Sequence, residues 1–199
     1  MTKTLVILLE ERSAQAMLEG LLPRILPKDV ELKCIPFEGK GDLEKQLYRK
    51  LRYWTSPHTA FMVLRDQDAG DCREIKANLV EKCRSAGKPE TVVRIACHEL
   101  ESWYFGDLNA VESGLNIEKG SLLQYKGKEK YRVPDNINSP STELKKITKD
   151  RYTKVSGSRE IGKFLNAERQ NNTSTSFGHF LSGINKALDS IPDDIKTSQ

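Results

Sequence analysis

The sequence predicts an α/β fold, Rossmann-like, with a mostly parallel sheet and helices on both faces, and three observations carry that expectation. Short apolar runs of strand length recur through the first half, each is followed by apolar residues spaced three or four apart, and Gly, Pro or Asp clusters punctuate the junctions. The order up to about residue 105 is β-α-β-α-β-α-β-α. Such alternation requires crossover connections, hence parallel strands with a helix layer on each side.

Leu5 to Leu9 is apolar throughout, as a strand buried on both faces must be. Ala14, Met17, Leu18, Leu21, Leu22 and Ile25 then recur at helical spacing, with Ser13 as the expected N-cap and Pro27 as the stop. Val30 to Phe37 alternates like a strand, Gly39-Lys40-Gly41-Asp42 breaks it, and Leu43, Leu47, Leu51 and Trp54 mark a second helix that Asp42 is expected to cap. Ala60 to Leu64 is a third strand, ended by Arg65-Asp66-Gln67-Asp68, and Ile75, Leu79, Val80 and Cys83 form the next helical stripe. Thr91 to Cys97 supplies a fourth strand, and His98 to Asp107 opens another helix-like stretch.

Beyond residue 107 the pattern loosens around Gly114, Gly120, Gly127, Pro134 and Pro140. The expected organisation is a core over residues 1–107 and a basic, irregular and helical C-terminal extension over 108–199 packed on it. Within that extension, helices are expected over 158–167 and 176–188, with a frayed tail from Asp189 to Gln199.

Of the 199 residues 30% are charged and 37% hydrophobic, and no apolar run approaches the roughly 18 to 20 residues of a membrane span. No membrane partner is expected. The apolar N-terminal run is short and meets Glu10-Glu11-Arg12 at once, which does not suit a signal peptide. Four cysteines, Cys34, Cys72, Cys83 and Cys97, form no CxxC pair, so free thiols in a reducing compartment and a cytoplasmic location are expected. Cys97-His98 lacks further ligands at zinc spacing. Net charge is +4, with Lys126, Lys128, Lys130, Arg132, Lys145, Lys146 and Lys149 among the cations concentrated in the second half. That distribution suits phosphate neutralisation, and it also suits an ordinary solvated surface.

The acidic residues are the most informative feature. Glu10 and Glu11 follow the first strand, Glu38 to Asp42 the second, Asp66 and Asp68 the third, and His98, Glu99 and Glu101 the fourth. In a parallel sheet all of them reach one edge, the carboxyl edge where α/β folds bind ligands. Each alone reads equally as a turn or cap residue. Together, carboxylates at the ends of three strands repel one another unless a cation intervenes, and Mg²⁺ or Mn²⁺ takes such oxygen ligands.

The segments Leu9-Glu10-Glu11-Arg12-Ser13 and Leu64-Arg65-Asp66-Gln67-Asp68 resemble the Toprim fold of topoisomerases, primases and overcoming-lysogenization-defect nucleases. More closely, Leu22-Pro23-Arg24-Ile25-Leu26, Arg65-Asp66-Gln67-Asp68 and His98-Glu99-Leu100-Glu101-Ser102-Trp103 resemble an uncharacterised bacterial family of Toprim-like proteins, often encoded beside an AAA- or ABC-type ATPase in defence-like operons. The resemblance covers the chain to about Asp107. It implies a Toprim-type sheet, Glu10 as an acid/base or metal-linked glutamate, Asp66 and Asp68 as the metal-binding pair, and Glu99 and Glu101 as further ligands. Toprim proteins commonly carry Gly after the first Glu, whereas Glu11 follows here, so Glu11 shares or takes over that role.

The expected chemistry is metal-dependent phosphodiester hydrolysis of DNA or RNA, with Glu10, Asp66 and Asp68 as catalytic residues. Lys40 in its Gly turn and Arg159 in Ser156-Gly157-Ser158-Arg159, taken as a helix start, are candidate phosphate contacts, and His98 is a candidate substrate ligand or acid/base. Trp103, Tyr104 and Phe105 serve either base stacking or the core. No GxxxxGK[ST] occurs, so ATP hydrolysis would fall to a partner ATPase. The alternative is a non-catalytic partner or sensor that binds an ATPase or nucleic acid. A glycosyltransferase using Asp-x-Asp is disfavoured because no sugar-nucleotide site is recognisable. A homodimer is compatible with either main reading.

Overall fold

The computed structural model describes residues 2–168 and 170–191. Four strands, β1 (Lys3–Leu9), β2 (Val30–Pro36), β3 (Thr59–Asp66) and β4 (Val92–Ala96), form an all-parallel sheet in the order β2-β1-β3-β4. Leu9 pairs with Pro36 on one side and Leu64 on the other, and Asp66 pairs with Ala96. β3 therefore runs two residues past the end of β1. Asp66 belongs to the strand itself.

Because strand side chains alternate between faces, β1 serves two separate cores. Leu5, Ile7 and Leu9 meet Met62, Leu64 and the helices α1 (Arg12–Leu21) and, near the C-terminus, α8 (Lys154–Gly162) and α9 (Thr175–Asp189). Val6 and Leu8 join Phe61, Val63 and Val93 against α2 (Lys40–Arg52) and α3 (Cys72–Ser85) on the opposite face. The α/β sheet with helices on both faces is thus present as expected, and its first face is completed by helices from beyond residue 150.

Trp103, Tyr104 and Phe105 form the short helix α4 (Ser102–Phe105), and all three are buried. Trp103 packs on Phe177 and Phe180 with ring centroids 5.2 and 5.0 Å away, and its indole N–H donates to Ser176 Oγ at 2.8 Å. Of the two readings for these aromatics, the core one applies.

Between residues 107 and 150 the structure is more helical than the sequence indicates. Short helices α5 (Leu108–Gly114) and α6 (Leu123–Lys126) are followed by 3₁₀ turns at Glu129–Tyr131 and Pro134–Asn136 and then by α7 (Pro140–Ile147). Segments of four to eight residues complete at most two turns, too few to display an apolar period. Leu108, Val111, Leu144 and Ile147 nevertheless reach the large core.

Several caps differ from expectation. The N-cap of α1 is Glu11, and Ser13 sits inside the first turn with its hydroxyl on the Glu11 carboxylate. Helix α2 starts at Lys40, with Gly39 as its N-cap, whose φ of 92° favours glycine. Asp42 lies within that first turn, accepting from Glu38 N at 3.1 Å and Gln46 at 2.6 Å. Helix α8 begins two residues before Ser156, with Thr153 as its N-cap, so the Ser156–Arg159 segment is helix interior. The expected tail beyond residue 191 lies outside the described residues.

Helices α1 and α8 approach so closely that a Cβ on Gly162 would stand 2.3 Å from Met17 O, and one on Gly20 would stand 2.9 Å from Lys163 N. Glycine at these positions lets α8 lie on α1, which brings the start of α8 to the carboxyl edge of the sheet. Among the described residues, no helix is long and apolar enough to cross a membrane. The four cysteines carry no disulfide.

Candidate active site

The carboxyl edge of the sheet assembles the acidic residues from the ends of β1, β3 and β4. Glu10 continues the line of β1: its backbone N–H donates to Leu64 O at 3.3 Å, and its Oε2 accepts the backbone N–H of Asp66 at 3.1 Å. Burial raises the Glu10 pKa, the Asp66 backbone bond opposes that, and Asp68 adds to the rise. Arg65 stands behind the pair, with Nε 3.8 Å from Glu10 Oε2 and a second guanidinium nitrogen 2.6 Å from Glu44.

Asp66 is the most perturbed of these acids. Its pKa is held well above the ordinary aspartate value, first by burial and then by the charges of Glu101, Glu10 and Glu11, while a backbone hydrogen bond from Leu100 works the other way. Four carboxylates from three strand ends thus share one electrostatic neighbourhood. A buried acid among like charges resists ionisation.

Glu101, in the turn after β4, is fully buried. Its Oε1 accepts the Tyr152 hydroxyl at 2.7 Å, and its Oε2 has no hydrogen-bond partner among the described residues. Tyr152 gives its proton to Glu101, which leaves its oxygen to accept from Ser158 Oγ at 3.0 Å. Burial raises the Glu101 pKa, with Tyr152 opposing. Tyr104 lies against the same group, and burial followed by Glu101 drives its phenol pKa up strongly.

Glu11 turns toward α8, where Lys154 Nζ contacts its Oε2 at 2.8 Å. Burial pushes the Lys154 pKa down, but the hydrogen bond and charge of Glu11, followed by the charges of Glu101 and Asp66, outweigh it and raise the pKa. Lys154, Tyr152 and Ser158 were not identified as site residues from the sequence. They lie some 140 residues from Glu11 along the chain, in a segment whose signals are basicity and an apparent helix start, neither of which points to the acidic edge.

The other sequence candidates divide. Asp68 and His98 both have left-handed backbones, with φ of 55° and 56°, and are joined by a hydrogen bond from Asp68 N to His98 O at 2.7 Å. The Asp68 carboxylate is taken by Lys40, the first residue of α2, at 2.8 Å. Lys40 thus reaches across to the third strand's acid. Glu99 accepts the backbone N–H of Ser141 at 2.7 Å and so satisfies an orphan donor in the first turn of α7. Arg159 is exposed, five residues along α8 from Lys154.

The donor chemistry fits a hard divalent cation. Glu10, Asp66 and Glu101 offer only oxygen, Glu101 Oε2 is buried without a partner, and the crowding of negative charge on Asp66 is what a cation would relieve. Among the described residues, no three His, Cys, Asp or Glu side chains already stand at ligating distance of a common point. The set therefore offers the ligand types without a preformed three-ligand site among the described residues.

Residues 9–185 match the family described as a domain of unknown function, DUF4276. The chain belongs to the DUF4276 family. The match runs from Leu9, at the end of β1, through most of α9, well beyond the half of the chain in which the motifs stand. Among solved structures, this DUF4276 chain is similar to the C-terminal region of the Burkholderia pseudomallei OLD protein, with a TM-score of 0.52 and 14% sequence identity, over 94% of this chain and 98% of that one. At that identity the likeness concerns the fold. It agrees with the α/β fold expected from the sequence, and it covers the C-terminal helices as well as the sheet. Comparison with curated proteins returned no match.

Proposed function

We propose that this DUF4276 protein is a Toprim-type, divalent-metal-dependent nuclease that hydrolyses phosphodiester bonds. The observation that carries the reading is the convergence of Glu101, Glu10 and Glu11 on buried Asp66 at the carboxyl edge of the sheet. Such a concentration of like charge costs stability, so a structural role alone does not account for it. The fold likeness to the OLD C-terminal region supports the same reading.

Glu10, Asp66 and Glu101 would hold Mg²⁺ or Mn²⁺, with Asp68 joining once released from Lys40. Bound there, the ion would supply Lewis-acid stabilisation of the phosphoryl charge. The chain's own groups divide the remaining work. Tyr152 orients Glu101, Arg65 and Asp66 N hold Glu10 Oε2, and Lys154 sets a positive charge beside Glu11. Lys40, exposed at the start of α2 and paired with Asp68, would contact a substrate phosphate.

The deciding test is cleavage of plasmid, single-stranded DNA and tRNA with Mg²⁺ or Mn²⁺, comparing wild type with Asp66→Asn and Glu10→Gln. Metal-dependent cleavage that both substitutions abolish is expected. Equal activity in all three proteins would refute this site.

A second reading, a non-catalytic partner or sensor, is favoured by a different observation: Asp68 is ion-paired and Glu99 is spent on α7. That reading expects nucleic acid or an ATPase to bind with no cleavage and with indifference to Asp66→Asn. An ATPase partner and a role in defence belong to the proposal through the motif resemblance alone.

A further inference from the structure

Helix α2 leaves the candidate active site and runs to the opposite end of the sheet. Its first residue, Lys40, contacts Asp68, whereas Tyr53, just beyond its last turn, precedes Trp54, whose indole N–H donates to Thr59 at the start of β3. The helix has 13 residues, roughly 20 Å at 1.5 Å each. Leu43, Leu47 and Leu51 bury one face. At 100° per residue the opposite face carries Lys45, Arg49 and Arg52, flanked by Tyr48 and Tyr53.

The charges on this face are left over from folding. Among the described residues, Arg49 and Arg52 have no ion-pair partner, and Lys45 interacts with Asp42, one turn back on the same face. Cations in a last turn favour the helix dipole, which accounts for charge near the C-terminus. It does not account for two large aromatics beside them: Tyr48 is 42% exposed and Tyr53 is 75% exposed. Basic side chains interleaved with exposed aromatics match a single nucleic-acid strand, whose phosphates need cations and whose unpaired bases stack on rings.

We propose that the solvent face of α2 is a binding track for single-stranded nucleic acid leading to the carboxylate site. The inference rests on a nucleic-acid substrate for that site, and it adds the strand type and its path. Lys45, Arg49 and Arg52 span about 10 Å of helix, the rise of about three phosphates along one strand at 3.4 Å each. Tyr53 stacks a base at the far end. A strand reaching from Lys40 to Tyr53 covers about six nucleotides at the same rise.

The test is fluorescence anisotropy of the full chain with labelled single-stranded oligonucleotides of four to twenty nucleotides in EDTA, so that binding is read without cleavage. Arg49→Ala/Arg52→Ala is expected to weaken binding about tenfold or more at low salt. It should also make the log K against log salt slope shallower by about 1.4, two phosphates at about 0.7 each. Tyr53→Ala is expected to weaken single-strand binding at least about fivefold, and affinity should rise up to about six nucleotides. All these residues are exposed, and circular dichroism checks that the variants fold.

Unchanged affinity and slope in the double variant would overturn the track. So would wild-type binding to phosphatidylglycerol vesicles with none to oligonucleotides. The two proposals fail separately. Loss of binding in the double variant, with no cleavage by wild type under any metal, upholds the track and refutes the nuclease. Cleavage abolished by Asp66→Asn, with binding indifferent to Arg49 and Arg52, does the reverse.

Discussion

The Tyr152 hydroxyl donates to Glu101 Oε1 across 2.7 Å of buried space, tying the loop before α8 to the turn after β4. This bond anchors the segment that delivers Lys154 to Glu11, because Tyr152 is itself held by Ser158 from the first turns of α8. One hydrogen-bonded chain therefore connects the C-terminal helices to the acidic edge of the sheet.

Removing that donor with Tyr152→Phe leaves both Glu101 oxygens buried without a hydroxyl partner. A destabilisation of about 1–3 kcal/mol is expected, measured as a lower urea midpoint at unchanged m-value. Glu101→Gln combined with Tyr152→Phe should cost less than the sum of the single changes, since they share one interaction.

Asp66→Asn removes the charge most opposed by its neighbours. In metal-free buffer near pH 8 the variant is expected to be more stable than wild type, by about 1 kcal/mol or more, since each unit of pKa shift corresponds to about 1.4 kcal/mol. Thermal unfolding should register this as a rise of about 2–4 °C per kcal/mol. Loss of cleavage alongside gained stability separates a functional role from a structural one.

The pH dependence has a definite sign. Glu10, Asp66 and Glu101 all have folded-state pKa values raised above their ordinary ones. The folded state then holds protons that the unfolded state has released, so the associated stability is complete below the ordinary carboxylate range, near 3.8 for Asp and 4.5 for Glu. It is lost as pH rises from there through the folded values. Metal-free Tm should fall across that window, and both Asp66→Asn and added Mn²⁺ should flatten the decline.

Gly162→Ala places a methyl 2.3 Å from the Met17 carbonyl oxygen, a backbone atom that no side-chain rotation relieves. The expected cost is about 1–3 kcal/mol from forced separation of α1 and α8. Because α8 carries Lys154, cleavage should fall as well. Chemical denaturation and the plasmid assay check the two effects independently.

Lys40→Ala breaks an ion pair whose side chains are 57% and 38% exposed. Stability should change by less than about 0.5 kcal/mol. Mn²⁺ affinity, read by calorimetry, is expected to increase because the Asp68 carboxylate is released toward the site, while oligonucleotide binding weakens. A decrease in Mn²⁺ affinity would exclude Asp68 as a ligand.

The strands were legible because continuous apolar runs are what a sheet covered on both faces demands, and α1, α2 and α3 because their apolar stripes last nearly three turns or more. The nearness of Glu10 to Asp66 was legible too, since parallel strands deliver their carboxyl ends to one edge. The caps at Ser13 and Asp42 were misread: each residue lies a step or more inside its helix, where its side chain has a different partner. The segment from 107 to 150 hid its helices because each is too short to show a period.

By itself the sequence determined the layered α/β architecture and the set of acids that reach the ligand-binding edge, because both follow from local periodicity and strand direction. Only the tertiary structure decided what each acid does. Asp68 goes to Lys40, Glu99 to Ser141, Glu11 to Lys154 and Glu101 to Tyr152. Those pairings join residues from 28 to 143 positions apart, through the glycine-lined crossing of α1 and α8 and the burial of α4, and local patterning carries no record of such distant packing.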